Sequence, residues 1–83
     1  MRVKTITRRV VEVDVRALYA FVGQRFKAAR KKAKLTQSEA ARALGMSRTN
    51  LANIEGALPQ RILLEHVYNA ALLFRCSAKD LLP

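Results

Sequence analysis

The chain has 83 residues and a formal net charge of +10, a length that suits one domain with a modest core and leaves no room for two. With 51% hydrophobic and 27% charged residues it has a globular composition, no window approaches the roughly 18 to 20 apolar residues of a membrane span, and no unbroken apolar segment follows the basic stretch Arg2 to Arg9, so the expectation is a soluble, cytoplasmic protein without a secretory signal. Cys76 is the one cysteine and His66 the one histidine, which excludes an internal disulfide and any recognised metal-ligand spacing, while the positive charge points to a polyanionic partner.

Residues 3–13 are β-branched and poor in helix formers, with partial alternation of Val11 and Val13 against Glu12 and Asp14, and read as one strand. Asp14 then stands where a carboxylate accepts the free N–H groups of a starting helix. Leu18, Phe21, Val22, Phe26, Ala29 and Ala33 form an apolar stripe at spacings of three and four, with Gln24, Lys27, Lys31 and Lys32 on the other face, which predicts a helix from Val15 to Ala33.

Thr36 and Glu39 make a capping box that starts a second helix at Gln37, and Gly45 ends it by supplying a left-handed residue just past Leu44. Only Met46 separates Gly45 from Ser47, another good cap, so a third helix is expected from Arg48 to Glu55. After the turn at residues 56–59, Ile62, Leu63, Val67, Ala70, Ala71, Leu72 and Phe74 predict a helix buried on much of its circumference. Ser77 caps a last short turn that ends at Pro83. The expected architecture is mainly α, with residues 1–14 as a strand or arm and residues 15–83 as the main domain.

Two short capped helices joined by Gly45 and Met46 have the outline of a helix-turn-helix, whose second helix enters the major groove of duplex DNA. The charge distribution agrees: residues 1–34 hold 11 Lys/Arg against 2 Asp/Glu, a balance of +9, and residues 35–83 hold 5 against 4. No acid–base pair, activated nucleophile or phosphate-binding glycine loop argues for an enzyme.

The stretch LTQSEAARALGMSRTNLANIEG, Leu35 to Gly56, closely resembles the Xre and Cro/cI-type repressor family. RFKAARKKAKLTQ resembles that family's first helix and CSAKDLLP its last turn, so the resemblance runs from about Gly23 to Pro83. It implies a five-helix phage-repressor-like fold, here with an N-terminal β-strand extension. It also implies base-contacting roles for Gln37, at the start of the second helix, and for Arg48, Thr49, Asn50 and Asn53 on the recognition helix. Those residue types suit the task, because Arg forks onto guanine, Asn onto adenine, and the Thr methyl packs on thymine.

Ser47, Arg25, Lys27, Lys34 and Arg61 are candidates for phosphate contacts, which set register and affinity without reading sequence. By the same resemblance Arg30 and Glu55 form a structural ion pair. Two departures stand out: Ala40 occupies a position where leucine is usual, a space that Phe21, Phe26 and Phe74 are expected to fill. Glu55-Gly56-Ala57 replaces the usual run of glutamate, basic residue and glycine.

The function these features predict is a transcription regulator, a repressor by resemblance, that binds double-stranded DNA at a palindromic operator as a homodimer, with no cofactor, metal or small-molecule ligand. The alternatives are a protein-interaction module such as an antitoxin, which an exposed apolar patch away from the DNA face would favour, and a non-specific architectural binder. Residues 1–14 serve either as a ribbon pairing two copies or as a basic arm on DNA. His66, Cys76, Tyr19 and Tyr68 read as packing residues.

Overall fold

The computed structural model describes residues 15–58 and 61–83, whose order is α1 (Val15–Lys32), α2 (Gln37–Leu44), α3 (Arg48–Glu55), α4 (Leu64–Phe74) and a single 3-10 turn at Ala78–Asp80. The expected fifth helix is therefore reduced to that turn, and there are four α-helices among the described residues. A turn of three residues is what Ser77 and Asp80 stabilise: the Asp80 carboxylate accepts the Ser77 N–H at 3.0 Å and its hydroxyl at 3.2 Å. The expected strand, with the Asp14 cap, lies outside the described residues.

In α1, Val22 and Phe26 are buried and Ala29 packs beside the core, as does Ala33 just past the helix end, while Gln24, Lys27, Lys31 and Lys32 are exposed. Its last turn carries Arg30, Lys31 and Lys32, cations that suit the negative end of the helix dipole. Lys34 stops it by turning left-handed, with φ at 60°.

α2 begins with the full capping box: Thr36 Oγ1 accepts the Glu39 N–H at 3.1 Å, and Glu39 Oε1 accepts the Thr36 N–H at 2.8 Å. It ends at Gly45, left-handed with φ at 71°, a conformation glycine adopts without a Cβ clash. Ser47 then starts α3 by accepting the Asn50 N–H at 3.0 Å.

Phe26, Leu51 and Leu81 are the largest fully enclosed side chains, and Ala41 and Leu44 of α2 and Val67 and Ala70 of α4 complete the core with them. Phe26 and Phe74 meet edge to face, 6.2 Å between centroids and 85° between planes, a favoured aromatic geometry. Ala40 is fully buried in the same core. Phe21, expected to share that filling role, instead sits at the surface edge of α1 beneath the Arg25 guanidinium, 4.7 Å from its centroid.

α4 departs most from expectation. It starts at Leu64 rather than near Ile62, because His66 turns back and its Nδ1 accepts the Leu63 N–H at 3.3 Å. It buries one face only, Val67, Ala70, Ala71 and Phe74, and leaves Leu64, Tyr68 and Leu72 exposed, as is Leu63 just before it. No helix among the described residues is long and apolar enough to cross a membrane.

Candidate nucleic-acid interface

The sequence of α3 divides it into two faces. Leu51 and Ile54, three residues apart, are buried against the core, while Arg48, Thr49 and Asn50 are exposed and Asn53 is half-buried. The helix is thus held by an apolar edge and presents a polar one.

Behind that polar edge lies a buried charge pair. Arg30 Nε donates to Glu55 Oε2 at 2.7 Å and Arg30 Nη2 to Glu55 Oε1 at 3.0 Å, with 10% and 3% of the two side chains exposed. The third nitrogen, Nη1, donates to the Leu35 carbonyl at 2.8 Å. A bidentate fork with an extra acceptor offsets the cost of taking both charges out of water, and no buried side-chain polar atom among the described residues lacks a partner.

Gln37 connects this pair to the surface. Its Nε2 donates to Glu55 Oε1 at 3.1 Å, and its Oε1 accepts from Arg48 Nη1 at 3.3 Å. A carboxylate only accepts, so the Gln37 amide must turn its NH₂ inward and its oxygen outward. The outward oxygen then holds the first residue of α3. The path from Arg30 through Glu55 and Gln37 to Arg48 joins α1, α3 and α2, residues 18 and 11 apart in sequence across its last two links.

The other expected contact residues are not gathered in one place. Ser47 stands at the head of α3 with its hydroxyl capping the helix. Lys27 and Lys34 are exposed. Gly23 and Arg30 mark the edge of α1 that meets α3, and at about 100° per residue Lys27 flanks that edge while Arg25 points well away from it. Arg25 stacks on Phe21, and its charge helps to hold the Asp80 carboxyl below the usual carboxylate range, after the larger effect of the Ser77 hydrogen bonds. Arg61 lines an apolar groove with Leu18, Ile62 and Leu64.

Two contributors had no clear signal in the sequence. Gly23 is buried against α3, where a Cβ would strike the Ile54 carbonyl oxygen. The Gln37–Glu55 bond depends on tertiary placement alone. Among the described residues no three His, Cys, Asp or Glu side chains cluster as a metal site would require. Burial, with the Asp80 charge second, raises the Cys76 thiol above its ordinary value, which favours the unreactive protonated form.

The helix-turn-helix family model matches residues 26–81 of this chain. No curated protein matches it. Among solved structures it is similar to the restriction-modification controller protein C.AhdI from Aeromonas hydrophila, with a TM-score of 0.68 and 21% identity over 76% of this chain and 94% of that one. It is also similar to the master regulator for biofilm formation SinR in complex with DNA, with a TM-score of 0.66 and 27% identity over 72% of this chain and 95% of that one. A third likeness is to hydroxypropylphosphonic acid epoxidase from S. wedmorenis, with a TM-score of 0.74 and 19% identity over 82% of this chain. Because the chain spans only 36% of that enzyme, this likeness concerns the fold of one part of it.

Proposed function

Because this chain belongs to the Xre/Cro-cI-type helix-turn-helix family, we propose that it is a transcription regulator reading double-stranded DNA with α3 in the major groove. The observation that carries this reading is the Glu55–Gln37–Arg48 path of hydrogen bonds. It holds a long, otherwise mobile side chain in place before DNA arrives, so less rotamer freedom is lost on binding.

In this reading Arg48 forks onto a guanine, Asn50 and Asn53 accept and donate to adenine edges, and the Thr49 methyl packs on thymine. Gln37 contacts the backbone or an outer base. Ser47, Lys27 and Lys34 bind phosphates, whereas Arg25 and Arg61, placed elsewhere, add to the long-range field. The chain acts in the cytoplasm as a repressor, binding a palindromic operator as a homodimer whose two α3 helices lie about 34 Å apart. It has no catalytic role. Residues 1–14 contribute to pairing or to DNA contact.

One observation favours a second reading, a protein-interaction module that uses DNA binding only to regulate its own gene: Leu64, Tyr68 and Leu72 are exposed on α4.

Selection from a random duplex library at near-physiological salt tests the main reading, with wild type beside an Arg48→Ala, Asn50→Ala, Asn53→Ala variant. An enriched palindrome with half-sites about one helical turn apart, lost or relaxed in the variant, is the expected result. Equal salt-sensitive binding by both proteins, with nothing enriched, would overturn it in favour of an architectural or partner-dependent role.

A further inference from the structure

Between the first turns of α1 and the start of α4 runs an open groove of about 430 Å³, lined by Leu18, Tyr19, Val22, Ile62 and Leu64. Leu18 is 39% and Leu64 81% exposed, so its apolar walls stand open. Among the described residues, Arg61 is the one charged residue that lines it. Contiguous apolar surface of this kind marks a place where something docks, and the chain itself holds an occupant within reach.

Residues 11–14, Val-Glu-Val-Asp, lie outside the described residues and lead directly into α1. That helix begins at Val15 and has no acid in its first turn, which leaves Asp14 as the residue placed to cap its positive end. With Asp14 as cap, Val13 precedes the cap and Leu18 is the fourth helical residue. Those are the two positions whose apolar side chains staple an incoming chain onto a helix start. The staple turns the chain back along α1 and brings Val13 to the groove wall. In extended backbone Val11 falls about 7 Å beyond Val13 on the same face. One turn of α1 sets Val22 about 6 Å beyond Leu18, so the two valines keep step with two residues of the groove.

Charge selects the same occupant. Residues 1–34 hold 11 Lys/Arg and only two acids, Glu12 and Asp14, and residues 10–15 contain no cation. The segment therefore carries carboxylates to a groove whose wall bears Arg61. A second copy seated on this groove about a two-fold axis would bring its own Arg61, and Lys79 beside Ala78 on the adjoining surface, setting cations against cations.

We propose that residues 11–14 fold back on their own chain and close the groove between α1 and α4, with Val13 and Val11 against Leu18 and Val22 and Glu12 toward Arg61. The valines are then engaged within one copy, and Arg2, Lys4, Arg8 and Arg9 remain as the part of residues 1–14 that reaches DNA. Only this last consequence rests on the DNA reading above.

Acrylamide quenching of tyrosine fluorescence in the full chain tests the fold-back. The chain has no Trp and two Tyr, so a Tyr68→Phe background leaves Tyr19, on the groove wall, as the reporter. Val11→Lys/Val13→Lys is expected to raise the quenching constant roughly twofold, as a covered aromatic ring is laid open. Val10→Lys, on the other face of the segment, is expected to leave it unchanged. Circular dichroism checks that each variant keeps its helices. Equal quenching in all three proteins would overturn the proposal, as would an equal rise in both variants. Protection of Tyr19 that fades on dilution would overturn it too, assigning the segment to the groove of a second copy. Failure of the DNA reading is separately visible: a chain that shields Tyr19 yet enriches no duplex sequence refutes the reader and leaves the fold-back standing.

Discussion

Gly23 and Ile54 meet backbone to backbone: a Cβ on Gly23 would fall well inside van der Waals contact of the Ile54 carbonyl oxygen, and within 3.3 Å of the Glu55 carbonyl. Glycine is a poor helix former, so its place in the middle of α1 follows from this approach to α3. Gly23→Ala would gain about 1 kcal/mol of helix propensity but must push α3 away, a displacement that costs about 1–3 kcal/mol in packed interiors and more where backbone is struck. The expected outcome is a lower denaturant midpoint with an unchanged m-value. A raised midpoint would mean that α1 and α3 lie farther apart than the geometry described.

The Arg30–Glu55 pair sits on the same seam, and its loss should be costly for a different reason. Glu55→Ala leaves the Arg30 guanidinium buried with only the Leu35 carbonyl as acceptor, and breaking one partner of a buried pair costs about 3–5 kcal/mol. In a domain of this size each kcal/mol moves Tm by about 4–8 °C. Calorimetry should therefore find a Tm lower by well over ten degrees, as an order of magnitude. A fall of only a few degrees would show that water reaches the pair.

At the DNA surface the bridging role of Gln37 predicts coupling. Arg48→Ala should cost about 1–3 kcal/mol at one operator position and relax the base preference there. Gln37→Ala should weaken the same preference, and the double variant should lose less than the sum of the two, because both act through one guanidinium. Lys27→Ala should instead weaken all duplexes alike and lower the salt slope by about one. Titrations of wild type and the four variants at several salt concentrations decide between these patterns, and strict additivity of Gln37 and Arg48 would rule out the positioning role.

How far such relations can be read from sequence depends on whether their cause is local. Thr36 with Glu39, Gly45, and Ser47 each act within three or four residues, and each places its helix boundary where the local chemistry puts it. Gly23 answers to a carbonyl 31 residues away and Gln37 to a carboxylate 18 away, so neither has a periodicity that announces it. α4 misleads in another way. Its leucines suggest burial all round, but hydrophobic content states a tendency, and the other helices provide a partner for only one face.

The last turn predicts a pH effect of definite sign. Hydrogen bonds from the Ser77 backbone and hydroxyl, opposed by some desolvation, hold the Asp80 carboxyl below its ordinary value of 3.8. A depressed carboxylate contributes stability fully above its unfolded pKa and loses it as pH falls through the folded one. The stability gap between wild type and Asp80→Asn should thus be greatest near neutral pH and close in the acid range. Urea midpoints across that range check it, and a gap that widened on acidification would contradict the hydrogen bonds.

Ala57 makes a sharper prediction, because the glycine beside it stands one residue early. Gly56 has φ at −88°, an angle open to any residue, while Ala57 is left-handed with φ at 62°. That turn closes α3: the Ala57 N–H donates to the Ile54 carbonyl at 3.1 Å and the Leu58 N–H to the Asn53 carbonyl at 2.9 Å. An alanine held there is strained by roughly 1–2 kcal/mol, and the family's usual run places glycine at this position. Ala57 is exposed, so Ala57→Gly removes the strain without opening a cavity. After the added freedom of glycine in the unfolded chain is subtracted, a gain of about 0.5–1 kcal/mol remains. Gly56→Ala should gain nothing comparable, since its Cβ would come within 3.2 Å of the Ala52 carbonyl. Equilibrium unfolding of both variants separates the two positions: a gain at residue 57 alone is expected, and a loss there would mean that α3 ends with a different turn.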